Sequence, residues 1–206
     1  MNDVTRSTEA TSAVSAAYVA RQRRSLPTGW WGTTLLIATE AALFGTMIAS
    51  YFYLSSTAPA WPPPGIDKPI VALPLALTAG LLATSVPMLL AFRSARAGKT
   101  RAAWLWILLA VVVQCGYLAW QIVLFAEDLN KFSPQEHAYG SIYFTLLAVH
   151  HAHVLVGILL NAFLLSRLPF GLTNYRLVGV RSIALYWYFV NAIAVLVVLT
   201  QVSPSL

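Results

Sequence analysis

Within this 206-residue chain, the side chains whose types could do chemistry are Glu40, the imidazoles His150, His151 and His153 in VHHAHV, and the amides Gln114, Gln121, Asn161 and Asn191. All of them lie inside long apolar runs. Glu40 is about ten residues into one such run, which at ~1.5 Å per helical residue places it ~15 Å deep. No basic residue stands three or four positions away on either side. An ionised carboxylate at that depth costs several kcal/mol, so Glu40 is expected to be protonated and to face protein or a water pocket. Such a carboxyl either handles protons or holds a neighbouring helix by a hydrogen bond.

The histidines invite a metal or haem reading. On a helix, however, His150 and His153 share one face while His151 points about 100° away. A haem held by two histidines needs them on opposite sides of its ring, and one helix cannot supply that at this spacing. His137 lies in a connection, and a metal would need Glu40 or another chain to complete its ligands. We therefore expect no metal site, with His150 and His153 hydrogen-bonded between helices. Gln114 and Gln121, seven apart, share a helix face, and with Asn161 and Asn191 they form a polar seam. Its expected task is to hold helices in register. The lone Cys115 excludes an internal disulfide and is expected to be a small buried apolar residue. The sequence has no glycine-rich phosphate loop, nucleophile elbow or paired carboxylate site.

These residues must be positioned by the apolar runs themselves. The chain is 58% hydrophobic and 10% charged, against roughly a quarter charged in a soluble domain. Five runs, at 30–54, 70–92, 102–125, 139–165 and 182–202, each reach the ~20 residues that cross a bilayer as a helix. The expected fold is all-α, a polytopic bundle of five transmembrane helices spanning 30–206. Trp30, Trp31, Tyr51, Tyr53, Trp104, Trp106 and Tyr139 near the run ends suit the water interface. Pro87, following Thr84 and Ser85, predicts a kink in the second span, with a hydroxyl or a neighbour taking up the freed backbone groups.

Residues 1–29 form an expected cytoplasmic arm rich in Ala, Ser and Thr. It contains Arg21, Arg23 and Arg24, has no signal-peptide core, and carries Asp3 and Glu9, unlike a transit peptide. Of the 13 Lys and Arg residues, only Lys68 and Lys131 fall outside the arm, 93–101 and 167–181. The positive-inside rule then places the N-terminus in the cytoplasm and the C-terminus outside. The net charge of +6 is therefore topological, and no nucleic-acid partner is expected. The opposite connections are acidic, with Asp67, Glu127, Asp128 and Glu136. An odd number of spans without internal repeats does not suggest two inverted transporter halves.

Ordered motifs carry a more specific signal. Trp31 and Gly32 precede Glu40, and Tyr53, Ser55 and Ser56 lead to Trp61, Pro62, Pro63, Pro64, Gly65 and Ile66. Tyr139, Gly140 and Ser141 precede His150, His153, Val154 and Gly157, and Tyr186, Trp187, Phe189 and Val190 follow. In this order they resemble subunit III of the haem-copper cytochrome oxidases, in a five-helix form without two leading helices. Glu40 stands in the place of that family's membrane-embedded glutamate. The chain departs from the family pattern at Leu124 and Asn191, where acidic residues are usual, and at Tyr188, where histidine is usual.

The resemblance implies a subunit without a catalytic site, haem or copper of its own. Those groups would belong to the partners, the catalytic oxidase subunit I and other oxidase subunits. It implies that the chain stabilises the catalytic subunit, binds phospholipid between helices, and supports proton uptake and oxygen access, in the plasma membrane of a bacterium. Two alternatives stay open: an accessory subunit of a nitric oxide reductase, and a small proton-coupled transporter using Glu40 and the amide seam.

Overall fold

The computed structural model of the chain describes residues 28–171 and 173–205. The expected arm lies outside them, except for Thr28 and Gly29. Six α-helices follow in order: α1 Thr28–Thr57, α2 Ala72–Ala83, α3 Ser85–Arg96, α4 Thr100–Lys131, α5 Ala138–Arg167 and α6 Asn174–Val202. Short 3-10 turns, Leu168–Phe170 and Ser203–Ser205, continue the last two. No strand occurs among the described residues. Five helical stretches are long and apolar enough to cross a membrane, α2 and α3 together forming the second. The chain is an all-α, multi-pass membrane protein.

The second span breaks where Pro87 predicts it. Thr84 separates α2 from α3, and its N–H donates to Leu81 O at 3.0 Å, three residues back rather than four. Its hydroxyl also donates to Leu81 O, at 2.5 Å. A proline in a span is tolerated where hydroxyls and neighbouring helices support the altered backbone around it. From α6, Trp187 Nε1 donates to Thr84 Oγ1 at 2.8 Å and Asn191 Nδ2 to Ser85 Oγ at 2.7 Å, so α6 holds the break at two adjacent residues.

Two helices outrun their apolar cores. α4 continues to Lys131, where Lys131 Nζ donates to Asp128 at 2.9 Å and Phe132 N to Asp128 O at 3.1 Å. α6 begins at Asn174 rather than near 182, started by Thr173, whose hydroxyl accepts from Arg176 N at 3.2 Å. Arg176 and Arg181 interrupt the apolar run there without interrupting the helix, because hydropathy reports the lipid-facing part only.

The spans run up and down in alternation. Arg93, Arg96, Lys99 and Arg101 share one end with Arg167, Arg176 and Arg181; this is the basic end. The Asp128 end carries the connections at 58–71 and 132–137, and Ser205 Oγ donates to Pro69 O there at 2.7 Å. α5 and α6 are central, α6 packing on α1, α2, α3 and α5, and α5 also on α1 and α4. α1 rests on α5 and α6 and makes no substantial contact with α2, α3 or α4. Its other face exposes Leu35, Leu36 and Leu43.

Lipid tails are as apolar as leucine, so close packing rather than hydrophobic transfer holds such helices together. Small residues accordingly sit at the contacts: Ala91, Ala95, Ala103, Ala110, Ala184 and Ala194 are all buried. Gly157 makes a close contact of this kind, a Cβ on it falling 2.6 Å from the ring of Trp187. At the Asp128 end a Cβ on Gly140 would meet Ser133 O at 2.6 Å. Trp61 packs edge-on against Tyr51 and Tyr139, ring centroids 5.2 and 5.0 Å apart. Gly65 adopts φ +94°, a conformation that glycine takes readily. Cys115, expected to be buried, is instead exposed on α4. It lies on the outward face with Val112, and a thiol behaves there as one more small apolar group.

Candidate functional site

α1 and α5 run antiparallel and bring Glu40 and His153 to the same depth. Glu40 Oε2 lies 2.9 Å from His153 Nε2, and the other ring nitrogen, Nδ1, lies 2.7 Å from Val149 O one turn back on α5. A carbonyl oxygen can only accept, so Nδ1 carries a proton. The contact between Nε2 and Oε2 then needs one further proton, held either by the carboxyl or by the imidazole. In both arrangements the pair is neutral overall. A membrane-embedded acid thereby gains a partner and keeps a proton that can move over one hydrogen bond.

Phe44 packs edge-on against the His153 ring at 5.0 Å, and Tyr186 Oη donates to His153 O at 3.3 Å. The side chains of Glu40 and His153 keep 23% and 16% of their surface. The pair therefore sits in the wall of the bundle, reachable from outside it.

The remaining polar residues separate into distinct arrangements. Asn161 Nδ2 donates to Gln114 Oε1 at 3.1 Å, joining α5 to α4, and Asn191 joins α6 to Ser85. Gln121 Nε2 donates to Tyr117 Oη at 3.2 Å, one turn back on its own helix rather than across helices. His150 is 2% exposed, and neither of its ring nitrogens meets a protein partner. His151 is also buried, its ring 6.0 Å from that of Phe125. His137 precedes α5 without capping it by its side chain. Among the described residues, no three His, Cys, Asp or Glu side chains gather where a metal ion could bind.

Two hollows accompany these groups. At the basic end, a cavity of about 620 Å³ lies between the start of α1, the end of α5 and the start of α6, with Arg167 and Arg176 among its lining residues and Phe163, Leu164 and Ile183 along its walls. A smaller space lies inside the bundle toward Asp128.

The model of the cytochrome c oxidase subunit III family matches residues 11–202. This chain belongs to that family. It is 33% identical over 172 residues to cytochrome c oxidase subunit 3 of Coturnix japonica, 32% over 176 residues to that of Petromyzon marinus and 30% over 172 residues to that of Mus musculus. Each comparison covers 79% of this chain and 64% of the relative, so the chain spans less than two thirds of their length.

The subunit III motifs thereby gain physical roles. Trp61, Gly140, Gly157 and Trp187 are contact points, where size and shape decide the residue. Glu40 and His153 are the motif residues that meet as acid and base. Their pairing was missed from sequence, though the signal was present: counted from the basic end of each run, Glu40 is about ten residues deep and His153 about twelve.

Proposed function

We propose that this chain is the cofactor-free subunit III of a respiratory haem-copper oxidase that reduces oxygen to water. It packs beside the catalytic subunit I in the plasma membrane of a bacterium, with the basic end in the cytoplasm and the C-terminus outside. The haem and copper belong to the partner subunits. The observation that carries this reading is the Glu40–His153 pair, set in the bundle wall where a neighbouring subunit or lipid can reach it. The pair supports proton uptake by the complex, and the apolar surfaces beside it favour entry of nonpolar oxygen.

The cavity at the basic end suits a phospholipid, its acyl chain against Phe163 and Ile183 and its phosphate beside Arg167. Lysine and arginine gather at this end as they do on the cytoplasmic side of membrane proteins. No observation favours the nitric oxide reductase or the transporter reading.

The test is purification of the tagged chain from native membranes, with an absorbance spectrum of whatever accompanies it. A haem protein with oxidase activity is the expected companion. Recovery of the chain without haem would overturn the proposal.

A further inference from the structure

Inside the bundle, toward the Asp128 end, a space of about 50 Å³ lies between α2, α4, α5 and α6. Among apolar residues such as Leu124, Leu147 and Val197, its lining carries several polar side chains: Tyr117, Gln121 and Asp128 from α4, Tyr143 and His150 from α5, and Gln201 from α6. His150 closes the deep end. It is 2% exposed with both ring nitrogens unpartnered, and Gln201, 7% exposed, has its Nε2 unpartnered too. A buried imidazole with neither nitrogen bonded bears the desolvation penalty of both groups. Fully orphaned buried groups are rare, and ordered water is the usual remedy.

We propose that this space is a water site. It has room for roughly three to five waters, since each needs ~10–15 Å³ in which its centre can move and two to four polar partners. The waters accept from or donate to His150, Gln201 and Gln121 and run toward the Tyr143 hydroxyl. Tyr143 Oη donates to Asp128 Oδ2 at 2.8 Å, and Asp128 in turn accepts from the exposed Lys131 at 2.9 Å. Polar groups thus continue from a mid-bundle imidazole to the surface at the Asp128 end. Gln121 to Asp128, and Tyr143 to His150, are each seven residues or ~10 Å of helix rise. The site opens toward the end opposite the Arg167 cavity and is separate from the Glu40–His153 pair, which faces the bundle wall.

The test is a cryo-electron-microscopy map of the chain, in whatever complex it purifies with, at a resolution that shows ordered water. The expected result is at least two densities within hydrogen-bonding distance of one another, one of them on a His150 ring nitrogen. A dry space, or His150 bonded directly to Gln201, would overturn the proposal. A stability measurement on His150→Leu gives an independent readout. In a wet site the leucine strands the waters, and the melting temperature falls by on the order of 3–6 °C. In a dry site it replaces an unsatisfied group with an apolar one, and a rise would overturn the proposal. The map reads this chain's own interior, so its outcome does not depend on which subunits accompany it.

Discussion

Trp187 lies across the backbone of Gly157, and a Cβ added to that glycine would meet Trp187 Cε3 and Cζ3 at 2.6 Å. The ring cannot swing away freely, because its Nε1 is tied to Thr84 at the break in the second span. One residue with no side chain therefore lets α5 and α6 close and sets the kink in a third element. Gly157→Ala is expected to push α5 from α6 and to destabilise the chain by about 1–3 kcal/mol, the usual range for overpacking. Thermal unfolding in detergent or nanodiscs measures it, and an unchanged midpoint would refute the contact.

Thr84→Val tests the same junction from its other side. The substitution keeps the shape, removes the acceptor of a buried indole N–H and takes away the hydroxyl that caps Leu81 O. A loss of about 1–3 kcal/mol is expected. The tryptophan fluorescence of Trp187 should change with it, which a general loosening elsewhere would not require.

Glu40→Gln separates proton handling from architecture. The amide can still donate to His153 Nε2, so assembly and thermal stability should be retained within about 1 kcal/mol. The shared proton is gone, so proton uptake or turnover-dependent inactivation of the proposed oxidase complex should change. If both remain as in the unaltered protein, the pair is purely structural. Glu40→Leu, by contrast, leaves Nε2 without a partner and should cost stability as well.

Asn161→Leu removes the hydrogen bond to Gln114 and leaves the glutamine carbonyl unpartnered between α4 and α5. Hydrogen bonds between membrane helices average about 0.6 kcal/mol with a maximum near 1.7. A small fall in melting temperature is expected, and the double replacement of Gln114 and Asn161 by leucine should recover part of it.

Arg167→Gln tests the cavity at the basic end. Removing the guanidinium leaves the apolar wall but takes away a charged partner for a phosphate. Less phospholipid should remain with the purified chain, measured as phosphorus per protein or by mass spectrometry of extracted lipid. Equal retention would overturn the reading of this cavity as a phospholipid site.

Much of this bundle is legible in the sequence because a bilayer simplifies the problem. Run length, Pro87 and the placement of arginine each map onto one physical constraint, and the five spans and the kink follow. Helix ends were less legible. α4 and α6 continue beyond the hydrocarbon because Asp128, Lys131 and Thr173 support helix in water, which hydropathy does not register. Side-chain pairings needed the angular positions of the helices. Gln121 shares a face with Gln114, yet it bonds within its own helix, because Tyr117 is one turn away and nothing on α5 reaches it. Glu40 and His153 could have been matched by depth, but depth alone would not have distinguished His153 from His150.

The position of α1 in the bundle bears on the order of events during synthesis. Its supports, α5 and α6, are the last helices made, and about 80 residues separate the end of α1 from the start of α5. At ~5–20 residues per second, α1 waits in the bilayer for roughly 4–16 seconds before any helix it packs against exists. Glu40 therefore enters lipid before the imidazole that will receive it. An acidic residue at the centre of a lone helix costs about 2.5–3.5 kcal/mol on insertion scales, and Glu40 bears that cost without its partner until α5 is made. His153 arrives to a helix already in place, and the contact between Glu40 and His153 forms only as the last helices close the bundle.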